Sequence, residues 1–274
     1  MSRGTLVFSH ANSYPAPTYR RLFQAWEAAG WRVLAKEKFG HDLAWPVVSG
    51  WRPSRDELLA FVDQHAPGER IHWVGHSLGG YLSIMAAMKR PAQSAAVVLI
   101  DSPLVAGWRA HSWAVLKMMH LEERVSPAKL SRTRRWQWPS REAAHAHFSA
   151  KRLYARWDPA VLHDYLDGGL APDPAHGPEA VQLAFRREVE TRFYKTLPHD
   201  LGAMLRKHPP RCPVSFIGGR QSAEIRQAGL ETTLKLVRHR VQWLDGTHLF
   251  PMEQPNETVQ AVLQALDGFV AADN

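Results

Sequence analysis

The chain has 274 residues, 45% of them hydrophobic and 22% charged, a balance that excludes a disordered protein and supplies one large core. Its net charge of +8 would suit an acidic partner, yet residues 103–210, which carry +6 of it, interleave 17 Lys plus Arg with 11 Asp plus Glu, so no nucleic-acid partner is expected. No run approaches the ~18 consecutive apolar residues of a membrane helix, and Met1-Ser2-Arg3-Gly4 leads into Thr5-Leu6-Val7-Phe8 without a signal-peptide core, so the expectation is a cytoplasmic chain with no membrane span.

Thr5–Ser9 reads as a strand, residues 19–29 as an amphipathic helix stopped by Gly30, and 32–36 as a second strand. After a loop holding Trp45, Pro46 and Trp51, Ser54 with Glu57 three residues on reads as an N-cap opening a helix to Gln64. Residues 70–74 read as a strand, Leu78–Lys89 as a helix and 95–100 as a continuous apolar strand. Strands and helices alternating in this way mark a parallel sheet with crossover helices. From 103 to 210 the pattern breaks: no convincing strand occurs, and helical stretches rich in Trp, Arg, His and Leu are separated by Pro127, Pro139, Pro159 and a loop at 168–178. Strand signals resume at 213–217 and Val241–Leu244, and an amphipathic helix at 256–270 closes the chain. The predicted class is α/β, a mostly parallel sheet with helices on both faces. Residues 1–102 and 211–274 form its core domain, and 103–210 a helical insertion. The single cysteine, Cys212, cannot pair within the chain and reads as a small buried hydrophobe. The basic and aromatic cluster Arg132-Thr133-Arg134-Arg135-Trp136-Gln137-Trp138 reads as a solvated helix face or as inter-helix ion pairs.

Between the strand at 70–74 and the helix Leu78–Lys89 lies Gly75-His76-Ser77-Leu78-Gly79, followed by Gly80. A serine at the tip of a strand-to-helix turn needs strained backbone angles, and flanking glycines remove the Cβ atoms that would clash. The turn also aims the helix N-terminus and the free Leu78 amide at the reacting carbon, where both stabilise an oxyanion. Ser77 is therefore the candidate nucleophile, and His76 points away from the reaction. A serine nucleophile needs a general base, normally a histidine from a distant part of the chain. Of fifteen histidines, His248 follows the last strand and precedes the last helix, in Asp245-Gly246-Thr247-His248-Leu249-Phe250-Pro251. That loop and the Ser77 turn share the carboxyl edge of the sheet, where open α/β sheets bind ligands.

In these two segments, and in their order and spacing, the chain resembles the α/β-hydrolase superfamily. The resemblance implies an α/β-hydrolase fold with a helical cap at 103–210, and a serine hydrolase acting on a carboxylic ester or thioester. That chemistry needs no metal or organic cofactor, and its partner is a small-molecule substrate. Relatives with an aspartate nucleophile, the dehalogenases and epoxide hydrolases, do not match Ser77. The alternatives are transfer of the same acyl group to peroxide or an alcohol, and a non-catalytic binding protein on the same scaffold. The resemblance also implies a second oxyanion amide after the first strand. Here that loop reads Ser9-His10-Ala11-Asn12-Ser13-Tyr14-Pro15, which points to Asn12, with Ser13 or Tyr14 as alternatives and His10 shaping the loop. The acid that orients the base usually lies in a Gly-x-x-Asp loop after the strand at 213–217. Here that place is Ser222, in Gly219-Arg220-Gln221-Ser222-Ala223-Glu224. Asp101, at the end of the strand at 95–100, is the favoured substitute because a strand end holds a carboxylate more rigidly than a loop, and Glu224 is the alternative. Trp108, Trp113, Trp136, Trp138 and Trp157 could line an apolar pocket in the insertion, with Tyr14 beside it. Arg109, Arg135 and Tyr194 could meet a carboxylate or phosphate of the substrate.

Overall fold

A computed structural model describes residues 3–105 and 128–270 of the chain. Six parallel strands form its main sheet: β1 (Thr5–Ser9), β2 (Arg32–Ala35), β3 (Ile71–His76), β4 (Ser94–Ile100), a strand at Val214–Gly219 and a last one at Val241–Leu244. Their spatial order is β2-β1-β3-β4, then Val214–Gly219, then Val241–Leu244. Successive side chains point to opposite faces, so one sequence run feeds two cores. Leu6, Phe8, Val74, Val98, Ile100 and Ile217 pack on one side, with Leu22 and Trp26 of α1 (Arg20–Ala28) and Val262 and Leu266 of the terminal helix Pro255–Val270. Val7, Trp73, Val97, Leu99 and Phe216 pack on the other, with Leu58 and Val62 of α2 (Arg52–His65) and Leu82 and Met85 of α3 (Leu78–Lys89). Both faces are covered, as a parallel sheet requires. Among the described residues no helix is long and apolar enough to cross a membrane.

Elements depart from expectation in at least four places. The first helix is preceded by a 3-10 turn at Ala16–Tyr19. The second starts at Arg52 rather than after Ser54: Pro53 occupies its first turn and Trp51, in the left-handed region with φ 53°, is its N-cap. Ser54 is consequently buried inside the helix, and the Glu57 carboxylate accepts from the Gly40 amide and pairs with Lys36. Strand β3 runs on to His76, up to the nucleophile candidate itself.

The fourth difference lies in the insertion, which contains strands after all. Helices α4 (Ala128–Thr133), α5 (Arg141–Ser149), α6 (Pro159–Gly169), α7 (Arg187–Lys195) and α8 (Leu201–Lys207) accompany a small antiparallel sheet. Its strands are Gln137–Trp138, Leu170–Pro172 and Val181–Leu183, with the last in the middle. Runs of two or three residues are too short to display a period of two. The insertion packs on the carboxyl side of the core through an aromatic group, with Tyr14 of the first loop 5.6 Å from Trp157 and 5.8 Å from Tyr165 between ring centroids. Trp138 and Trp157 are buried in it. Trp108, Arg109 and Trp113 lie outside the described residues.

Candidate active site

Ser77 sits between β3 and α3 with φ 54° and ψ −116°, a conformation that costs energy for any residue with a Cβ. Close packing on both sides holds it there. A Cβ at Gly79 would run into the Ser9 carbonyl, and one at Gly75 into the Gly79 backbone, so both approaches are possible only for glycine. The Ser77 amide donates to the Ile100 carbonyl at 3.0 Å, tying the turn to the neighbouring strand.

His248 enters from the loop between Val241–Leu244 and the short helix Phe250–Glu253, and its Nε2 lies 2.9 Å from Ser77 Oγ. Its Nδ1 lies 2.6 Å from Asp101 Oδ2. An ionised carboxylate only accepts, so Nδ1 carries the proton and the Nε2 lone pair faces the serine hydroxyl. Burial pushes the His248 imidazole down, but the hydrogen bond and charge of Asp101, with the more distant Glu224, outweigh it and leave its pKa above the ordinary histidine value.

Asp101 is fully buried at the end of β4, with a positive φ of 41°. Its Oδ1 accepts from Gly219 N–H at 2.7 Å, and its Oδ2 accepts from the Ser222 hydroxyl at 2.6 Å as well as from His248. Glu224 stands off by comparison: its Oε2 is 3.9 Å from His248 Nδ1, and its side chain is 49% exposed. Ser222, at the place where the resemblance implies a loop aspartate, thus acts as a donor to the carboxylate on the adjacent strand, while its oxygen caps the helix Ala223–Ala228 by accepting from Ile225 N–H at 3.2 Å. Sequence reading gave no role to Ser222 or the Gly219 amide. The signal was present in Ser222 itself, a polar residue at the acid's place. Asp101, Glu224 and His248 also form a compact set of ionisable groups, with ligand atoms within 4.8 Å of one another. Both His248 nitrogens face Asp101 and Ser77, so a metal there would have to break one of those bonds.

The Leu78 amide heads α3, and neither it nor the Asn12 amide donates to a protein acceptor among the described residues. The Tyr14 amide is spent on the Ala11 carbonyl at 3.1 Å, which removes it from the alternatives. Asn12 is held from the insertion, its side-chain Nδ2 donating to the Glu190 carbonyl at 3.0 Å. Next to it Ser13 adopts a positive φ of 71°, and Arg134 pairs with Glu190 at 3.2 Å. Tyr194 neighbours the Asn12 side chain, and burial raises its phenol and that of Tyr14 above the ordinary tyrosine value. Arg135 lies over the Trp138 ring at 5.7 Å and Arg187 over Trp136 at 4.9 Å, so the 132–138 cluster is engaged in local packing and ion pairing. Cys212 is half-buried rather than buried, and burial pushes its thiol up to about 11, far from a reactive thiolate.

A parallel sheet covered on both faces, with a serine on a glycine-flanked turn and a histidine at the same edge, defines an α/β-hydrolase architecture. Residues 6–261 match the Alpha/beta hydrolase family, and the chain belongs to it. Among solved structures it is similar to E-2-(acetamidomethylene)succinate hydrolase, with a TM-score of 0.75, 20% identity, and coverage of 96% of this chain and 91% of that one. It is also similar to a carboxylesterase structure from the thaumarchaeon Nitrososphaera gargenis, with a TM-score of 0.69, 19% identity and coverage of 99% and 93%. A third, epoxide hydrolase A from Mycobacterium thermoresistibile, has a TM-score of 0.67, 18% identity and coverage of 97% and 91%. These likenesses establish the fold. No curated protein matches the sequence.

Proposed function

We propose that the protein is a serine hydrolase that cleaves a carboxylic ester or thioester through an acyl-enzyme. The observation that carries this reading is the unbroken chain Ser77 Oγ to His248 Nε2 at 2.9 Å and His248 Nδ1 to Asp101 Oδ2 at 2.6 Å. Ser77 Oγ attacks the carbonyl carbon while His248 Nε2 takes its proton. Asp101 keeps Nδ1 protonated and balances the imidazolium that forms. The amides of Leu78 and Asn12 hold the developing oxyanion. His248 then returns the proton to the leaving oxygen or sulfur. Water, deprotonated by the same histidine, releases the acid and restores Ser77. The serine also separates this chain from the epoxide hydrolase it resembles in fold, whose reaction opens an ether ring.

Residues 103–210 act in this reading as a cap over the site, with Tyr14 of the oxyanion loop and Tyr194 beside it as candidate substrate contacts. Initial rates on short-chain p-nitrophenyl esters and on a p-nitrothiophenyl ester test the reading. The wild type is expected to hydrolyse at least one of them and Ser77→Ala none above background. Equal rates for the two proteins would contradict it.

A further inference from the structure

Two buried histidines outside the reacting trio, His10 and His76, are bonded through both ring nitrogens, and their partners leave a single assignment of protons. The His248 carbonyl only accepts, so His76 Nε2 carries the proton and donates to it at 2.9 Å. Burial holds the His76 ring neutral, its pKa well below the ordinary histidine value, and Nδ1 is then a lone pair. The Tyr19 hydroxyl, 2.8 Å from Nδ1, must donate there. That uses its only proton and leaves its oxygen to accept from Ala11 N–H at 3.2 Å. His10 is the opposite tautomer. Phe39 N–H donates to its Nε2 at 3.1 Å, so Nδ1–H donates to the Ala11 carbonyl at 2.8 Å.

Ala11 is therefore gripped at both its amide and its carbonyl. Its carbonyl and the Asn12 N–H belong to one peptide unit, which is planar, so fixing the first aims the second. We infer that His76 and Tyr19 are positioning residues, forming a relay from Ala11 N–H through the Tyr19 hydroxyl and the His76 ring to the His248 carbonyl that locks the oxyanion loop to the loop carrying the base, with His10 fixing the Ala11–Asn12 peptide from the other side. The inference rests on the roles proposed for Ser77, His248 and Asn12. It gives a purpose to the residue before the nucleophile, whose ring lies 5.1 Å from that of His248 between centroids without joining the proton path. The arrangement couples the oxyanion loop to the loop carrying the base, near opposite ends of the sequence, so a shift in either moves the other. A misplacement of about 1 Å at a reacting group costs on the order of 10²-fold in rate.

Tyr19→Phe deletes one oxygen and leaves the ring packing on Phe8 and Phe23 in place. On a p-nitrophenyl ester its kcat is expected to fall about 10- to 100-fold with KM within about twofold of wild type, and its labelling by a fluorophosphonate to slow in step. A second pair separates the relay from folding: His76→Gln, whose amide can still donate to the His248 carbonyl, is expected to keep at least about tenfold more kcat than His76→Leu. A readout independent of turnover is the long-range 15N–1H spectrum of the imidazoles. It should show His76 as the Nε2–H tautomer and His10 as the Nδ1–H tautomer in the wild type, and in Tyr19→Phe the same His76 tautomer with its Nδ1 resonance shifted by loss of the hydroxyl donor. A wild-type His76 protonated on Nδ1, or a folded Tyr19→Phe with unchanged kcat, would overturn the relay. If Ser77→Ala abolishes activity while Tyr19→Phe is unimpaired, the relay alone fails. If Ser77→Ala is fully active, the functional reading fails and the relay with it.

Discussion

Replacing Asp101 with Asn probes the third member of the trio, and the surrounding donors dictate what the amide will do. Gly219 N–H points at Oδ1 at 2.7 Å, so the Asn oxygen must stay there and its NH2 group must take the place of Oδ2. That NH2 then points an N–H at His248 Nδ1, which lies 2.6 Å from Oδ2 in the native chain. Nδ1 can meet it only as a lone pair, which moves the imidazole proton to Nε2, facing Ser77. The Ser222 hydroxyl accepts from the amide and turns its own proton to Glu224 Oε2, 3.4 Å away, so no buried group is left unpaired and the fold survives. The base is lost while the architecture persists. A histidine held in the wrong tautomer lowers kcat by about 10³- to 10⁴-fold, about 4 to 5 kcal/mol of transition-state stabilisation. Steady-state kinetics on a p-nitrophenyl ester, with circular dichroism as the control for folding, measure it. Glu224→Gln, altering a group 3.9 Å from Nδ1 and half exposed, should cost less than about threefold. A loss below about tenfold in Asp101→Asn, or a larger loss in Glu224→Gln, would refute this reasoning and move the acid to Glu224.

Three further outcomes are expected. Because Asp101 raises the His248 pKa, the acid limb of kcat/KM should have its midpoint above the ordinary 6.5, and Asp101→Asn should lower the rate without preserving that midpoint. Burial, helped by the charges of His41, Lys36 and Lys38 and opposed by the bond to Ala11, lowers the His10 pKa from 6.5 to about 4. The unfolded chain therefore binds the extra proton first, so this stability is present above pH 6.5 and is lost as pH falls toward 4, in all about 3 kcal/mol. Urea unfolding at pH 7 and pH 4.5 measures the loss, and His10→Asn, which does not titrate, should lose less over that interval than the wild type. Gly79→Ala would press a methyl group into the Ser9 carbonyl, and its unfolding temperature should drop sharply, by a destabilisation on the order of 4 kcal/mol. A near-native melting curve would show that the β1–α3 approach can relax.

What the sequence makes legible follows from how local each constraint is. Ser77 stands out because its strained turn forces glycines at 75 and 79, and those constraints lie within five residues. His248 stands out because a loop between the last strand and the last helix has one edge of the sheet to occupy. The choice between Asp101 and Glu224 is not local. It depends on the loop after Val214–Gly219 folding over the end of β4, so that Gly219 and Ser222 donate to Asp101. The sequence turns His76 away from the reaction but leaves its bonds hidden, because its partner Tyr19 lies 57 residues upstream and the carbonyl it serves 172 residues downstream. The Ser54–Glu57 pair imitates a capping box, and Pro53, able to sit in a first helical turn, was the competing signal. The strands of the insertion left no periodic trace because none exceeds three residues.

The central claim is that Ser77 is an activated nucleophile, and covalent labelling tests it most directly. Incubation of the wild-type protein with a fluorophosphonate, followed by proteolysis and peptide mapping by mass spectrometry, should place one adduct on Ser77, formed much faster than on any other serine. Ser77→Ala should take up none, and Asp101→Asn should label far more slowly at the same residue. An unlabelled wild-type Ser77 under conditions where the protein is folded, or an adduct retained in Ser77→Ala, would contradict the account.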